Sequence, residues 1–167
     1  MSNILICWPN RIDTATLSGG NWTLPLSNLK SRDQWLVARS NGLSTANTKF
    51  NIDFGQLRNI RAVALANHNL SQTATWRITL GTSSGASNIY TSNWQSVWTM
   101  TFDADLLAWE DVSVWEGIVD QDFINHPYLA VYTLPDWYNT RYMTIEIVDS
   151  ANPEGYIDIG RAFIGGG

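Results

Sequence analysis

Hydrophobic and polar positions alternate most clearly between Thr48 and Gly81. Phe50, Ile52 and Phe54 alternate with Asn51 and Asp53, the period of two expected of a strand with one face on a core. Gly55 ends that run, and Gln56 to Asn59 reads as a turn. Ile60 to Ala66 is apolar at nearly every position except Arg61, which predicts a central strand covered on both faces. After the polar turn Asn67-His68-Asn69, Thr75 to Leu80 alternates again, with Trp76, Ile78 and Leu80 on one side. Three such runs with no helical period between them predict an antiparallel meander.

The remaining chain follows the same logic. Ile4 to Trp8 reads as a short buried strand closed by Pro9-Asn10, and Arg11 to Ser31 as loop with extended pieces and one helical turn at Ser27 to Lys30. Ser31 to Ala38 suits a strand or a turn, and Asn41 to Asn47 a loop. Gly81 to Ser87 is a small-residue loop, and the even spacing of Tyr90, Trp94 and Trp98 puts all three on one face of an extended segment. Residues 101–127 read as an acidic, irregular excursion between strands. Tyr128 to Leu134 is a strand turned by Pro135-Asp136, and Arg141 to Val148 is another, with Met143, Ile145 and Ile147 inward and Tyr142, Thr144 and Glu146 outward. Asn152 to Gly155 is a turn, and Tyr156 to Ile164 is the last strand, with Gly160 as a bulge. No tandem repeat or linker interrupts the chain, so residues 1–167 read as one all-β domain.

The wording FNIDFG, RNIRAVALANHNLS and TWRITLG, with TRYMTIEIVDSANPEGYIDIGRAFIGG near the C-terminus, resembles the discoidin or galactose-binding-like family of jelly-roll modules. ATLSGGNWTLPLSNL and NHNLS also resemble small virion proteins of tailed bacteriophages that use this fold. The resemblance implies an antiparallel β-sandwich, a jelly roll of the galactose-binding-like type, over most of the chain. It implies no single function, because one fold hosts many.

Composition narrows the options. A net charge of −5 argues against nucleic-acid binding, which wants a basic face. From Arg77 to Arg141 there is no intervening Lys or Arg, so that interval carries −8 and the remainder +3. Cys7 is the lone cysteine; it excludes an intrachain disulfide and is expected in the first buried strand. The N-terminus lacks the pattern of a secretory signal and no apolar run reaches the roughly 20 residues of a membrane span, so synthesis in a host cytoplasm is expected.

Candidate chemistry is sparse. Gly81-Thr82-Ser83-Ser84-Gly85 matches the G-x-S-x-G pattern of a nucleophile elbow, but no helical stripe follows it, so a turn is the expectation. His68 and His126 are the only histidines, and His68 reads as a hydrogen-bonding turn residue rather than a general base. Asp103-Ala104-Asp105 lacks the glycine and terminal Glu of an EF-hand loop, so the acids read as a solvated face. No enzyme, cofactor or metal site is therefore expected.

Nine tryptophans are the strongest signal. Trp8, Trp35 and Trp76 fall in strand-like patterns and are expected in the core. Trp22, Trp94, Trp98, Trp109, Trp115 and Trp137 lie in or near irregular polar segments, where stiff aromatic surface serves protein contacts or stacks on sugar rings.

Two readings result. The first is a structural virion protein of the tail tip or baseplate that joins other virion proteins, with a head-to-tail ring built on Trp109 and Trp115. The second is a carbohydrate-binding module for adhesion to a host surface glycan. For it, analogy with the loop-end sites of the discoidin-like family points to Trp22, Trp137 and Tyr138.

Overall fold

The computed structural model describes residues 8–33, 35–98 and 129–166. Among these residues the strands are β1 (Thr16–Ser18), β2 (Trp22–Leu24), β3 (Ala38–Ser40), β4 (Phe50–His68), β5 (Thr75–Gly81), β6 (Tyr90–Thr91), β7 (Gln95–Ser96), β8 (Leu129–Val148) and β9 (Asp158–Gly165). Two 3-10 turns, Arg11–Thr14 and Leu26–Lys30, bury Ile12, Leu26 and Leu29, and one short helix, Thr45–Thr48, precedes β4. The helix takes up the end of what the sequence suggests is loop. Every pairing is antiparallel.

The protein is an antiparallel β-sandwich of the galactose-binding-like type, built around a long ribbon of β4 and β8. The first half of β4 pairs with β1 on one side and with the second half of β8 on the other; β5 lies beyond β8 and carries β6 and β7 on its outer edge. The second half of β4 pairs with β9 and with the first half of β8, and β9 leads on to β3 and β2. One ribbon thus belongs to both sheets.

It passes between them through two bulges. Asp53 faces Tyr142 and Arg58 faces Thr140, so residues 54–57 of β4 stand opposite Arg141 alone. Ile60 faces Tyr138 and Ala62 faces Thr133, so residues 134–137 of β8 stand opposite Arg61 alone. Gly55, at φ +75°, makes the first excursion possible, and Asp53 fixes it by accepting from the Gly55 amide and from both Nε and Nη2 of Arg141. That pairing, with Arg141 as its main cause, holds the Asp53 carboxyl below its usual pKa. The second excursion accommodates Pro135, which has no amide to give a ladder.

These bulges correct the sequence reading. The runs 50–54 and 60–66 are one strand, not two joined by a turn, and so are the runs 129–134 and 141–148. The meander is also replaced, because β8 lies between β4 and β5. The expected bulge at Gly160 is absent, since the β4–β9 register continues through it unbroken.

The faces are as the alternation predicts. Phe50, Ile52, Ile78, Leu80, Met143, Ile145 and Ile147 are buried, and residues 62–66 are buried on both sides. Trp76 of β5 meets Tyr132 of β8 edge to face at 6.5 Å, one sheet packing on the other. Two expected core tryptophans are instead exposed, Trp8 at 79% and Trp35 at 89%. Both lie outside the strands, so no sheet face covers them. Residues 1–7, with Cys7, lie outside the described residues.

Candidate functional site

The alternation that buries Phe50, Ile78 and Ile145 sends their neighbours to the outer face of the first sheet. Because Asn51 pairs with Thr144, Thr144 with Thr79, and Thr79 with Thr91, four polar side chains from four strands fall in one row across that face. The next row holds Arg77 opposite Glu146. Lys49, just before β4, and Gly85 and Ser87, from the β5–β6 loop, complete the wall of a cleft of about 350 Å³. That volume lies at the lower end of the roughly 300–1,000 Å³ usual for small-molecule sites.

Within the cleft, Thr144 Oγ1 donates to Asn51 Oδ1 at 2.7 Å. Arg77 donates through Nε to Glu146 Oε2 at 2.8 Å, and its Nη2 lies 2.6 Å from the same oxygen. The Arg77 guanidinium lies 4.7 Å from the ring centroid of Trp94, which is 42% exposed in the β6–β7 connection. A hydroxyl- and amide-lined floor, charged groups at one end and an exposed aromatic ring beside them form a surface able to hydrogen-bond and stack against a polyhydroxylated ligand.

Tyr90, Trp94 and Trp98 are not on one face. Tyr90 packs inward, its hydroxyl 2.7 Å from that of Tyr132, and burial followed by this bond pushes its pKa up to about 12. Trp98 is buried and donates its indole N–H to the Leu70 carbonyl. The segment between them is two two-residue strands joined by three residues of irregular chain, which breaks the even period.

The aromatic residues expected at a sugar site are dispersed. Trp22 is half-buried in β2 and meets Phe50 edge to face at 5.8 Å. Tyr138 is half-buried and stacks on Tyr90 at 4.7 Å. Trp137, 45% exposed in the β8 excursion, lies 5.7 Å from the Arg61 guanidinium and against Gly166. Trp137 and Tyr138 are chain neighbours; the described contacts do not join Trp22 to either. Trp109, Trp115, His126 and the acidic excursion fall outside the described residues.

The G-x-S-x-G stretch is a turn, with Ala86 N–H donating to the Ser83 carbonyl and no helix after it. His68 accepts from the Leu70 amide through Nδ1 and meets Trp98 edge to face. Burial lowers its pKa from 6.5 to about 4. The folded state therefore binds this proton less readily than the unfolded state, and stability is lost as pH falls from the ordinary histidine range through about 4. The expected loss from this group is about 3 kcal/mol. Urea titrations between these pH values, with a His68→Gln variant lacking that slope, check it.

Comparison with known proteins adds the fold relatives. No family model and no curated protein matches the chain. Among solved structures it is similar to the family 32 carbohydrate-binding module of Clostridium perfringens NanJ in complex with galactose, with a TM-score of 0.56 at 9% identity, over 93% of this chain and 95% of that one. It is also similar to chitosan-binding module 1 of a chitosanase/glucanase from Paenibacillus sp. IK-5, with a TM-score of 0.55 at 14% identity, over 94% and 98%. A third likeness is to a family 89 glycoside hydrolase of Clostridium perfringens, with a TM-score of 0.52 at 12% identity, over 94% of this chain and 14% of that one. These likenesses establish the fold, and nothing in the comparisons links the chain to virion proteins.

Proposed function

We propose that this chain is a non-catalytic carbohydrate-binding module that takes a saccharide in the polar cleft of the first sheet. The observation that carries this reading is the transverse row Asn51, Thr144, Thr79 and Thr91, flanked by Arg77, Glu146 and Lys49. Sugar hydroxyls both donate and accept, and the row offers amide and hydroxyl groups that do the same. Trp94 supplies the flat ring on which a sugar face can stack. The fold relatives named for galactose and chitosan binding support the reading at the level of function class.

Trp94→Ala is expected to weaken binding about tenfold without changing the fold, the loss of one stacking platform worth about 1.5 kcal/mol. A glycan array followed by titration calorimetry measures this. Trp137→Ala is the matched comparison: if it abolishes binding and Trp94→Ala does not, the loop aromatics Trp22, Trp137 and Tyr138 form the site instead. Absence of binding to any glycan at millimolar concentration removes the reading. On a phage tail tip such a module would serve host adhesion, a setting tested by mass spectrometry of purified particles.

A further inference from the structure

We infer that the saccharide held in this cleft is anionic, a uronic acid whose carboxylate is met by Lys49; this rests on reading the cleft as a glycan site. What marks the cleft is unspent positive charge. Glu146 is engaged by both Nε and Nη2 of Arg77, so that pair is internally neutralised. Asp53, the carboxylate farther along β4 on this face, is held in the same way by Arg141. Lys49 is exposed and belongs to none of the ion pairs of the described residues. The cleft thus carries a net positive charge in a protein whose net charge is −5.

The hydrogen-bonding inventory points the same way. The Asn51 carbonyl oxygen accepts from Thr144, and its NH₂ group can donate to a ligand. Lysine and arginine only donate. The Thr79, Thr91 and Thr144 hydroxyls keep acceptor lone pairs for the sugar's own hydroxyls, so what an added carboxylate answers is the Lys49 ammonium, which can only donate. Among the described residues lining the cleft, Lys49 is the one cation outside an ion pair, which suits one negative charge on the bound ring. Bidentate recognition is already spent, because the Arg77 fork is turned to Glu146.

The test compares oligogalacturonate, oligomannuronate and oligoguluronate with their methyl esters, which keep the sugar chain and remove the charge. Calorimetry at low salt is expected to show an acid form bound about three- to fivefold more tightly than its ester, the range of a partly exposed ion pair. Added sodium chloride should shrink that preference. Lys49→Gln should abolish it and Lys49→Glu reverse it. Both variants should keep the wild-type melting temperature, because Lys49 is exposed and unpaired. Equal binding of acid and ester by the wild-type protein would overturn the inference, as would a preference that survives Lys49→Gln or tighter binding of a sulfated neutral oligosaccharide. Binding of uncharged glycans that Trp94→Ala weakens, with no preference for acids, would remove the charge assignment alone. Failure to bind any saccharide would remove the glycan reading with it.

Discussion

Trp76→Ala is expected to destabilise the protein by about 3–5 kcal/mol, the cost of deleting a fully buried indole and leaving part of its volume empty. Trp76 is only 2% exposed, its ladder neighbour on β8 is Ile147, and its ring meets Tyr132 across the two sheets. Relaxation would require one sheet to move toward the other, which the shared ribbon opposes. For a chain of this length each kcal/mol shifts the melting temperature by roughly 2–4 °C, so a drop on the order of 10 °C is the expected reading. Trp35→Ala, at an 89% exposed position, should stay within about 0.5 kcal/mol of wild type. Similar losses for the two variants would contradict this division of the tryptophans.

Gly20→Ala should cost about 2–5 kcal/mol, for reasons independent of apolar burial. Gly20 has φ +67°, where an L side chain is strained by about 1–2 kcal/mol. A Cβ there would also run into the carbonyl oxygens of Asn47 and Lys49 and the indole nitrogen of Trp22. Overpacking of that kind adds about 1–3 kcal/mol. The turn cannot swing away freely, because the Asn21 amide donates to the Asn47 carbonyl at 3.0 Å and the Asn41 amide to the Asn21 carbonyl at 2.8 Å. Gly85 separates the two causes: its φ is +77° and a Cβ would meet nothing within 4 Å. Gly85→Ala should therefore show the conformational strain alone. Equal urea midpoints for the two variants would disprove the steric part. Because the clash falls on the backbone of Lys49, Gly20→Ala should also disturb the cleft.

Strand faces were legible in the sequence because side-chain direction has a fixed period, and Met143, Ile145 and Ile147 point inward as that period requires. Strand partners were not. Nothing local to Phe50 or Trp76 says that β8, which begins 48 residues after β5 ends, will come between them. The same gap hid the cleft. Asn51, Thr79 and Thr144 look like ordinary solvent-facing residues until the register lines them up, and Arg77 and Glu146 gain meaning only as a cross-strand pair. An outward Thr or Asn at the middle of three separate alternating runs was the available signal. For the tryptophans, composition gave the number but not the depth. Trp98 is buried because Leu70 offers its indole a carbonyl, and Trp35 is exposed because no strand face covers it.

The ribbon also sets when folding can happen. Phe50 pairs with Ile145 and Ala66 with Leu129, contacts 95 and 63 residues apart in the sequence, and closing such loops costs entropy before any contact compensates for it. During synthesis the β8-facing edge of β4 must wait until β8 has been made, since β8 joins it in both sheets, while β1, made earlier, can cover only Asn51 to Asp53 on the other edge. A slow, late and cooperative folding step, with little protected amide hydrogen before it, is what this architecture imposes. Deletions from the C-terminal side that remove β8 should leave no stable fragment, however much of the preceding chain they keep.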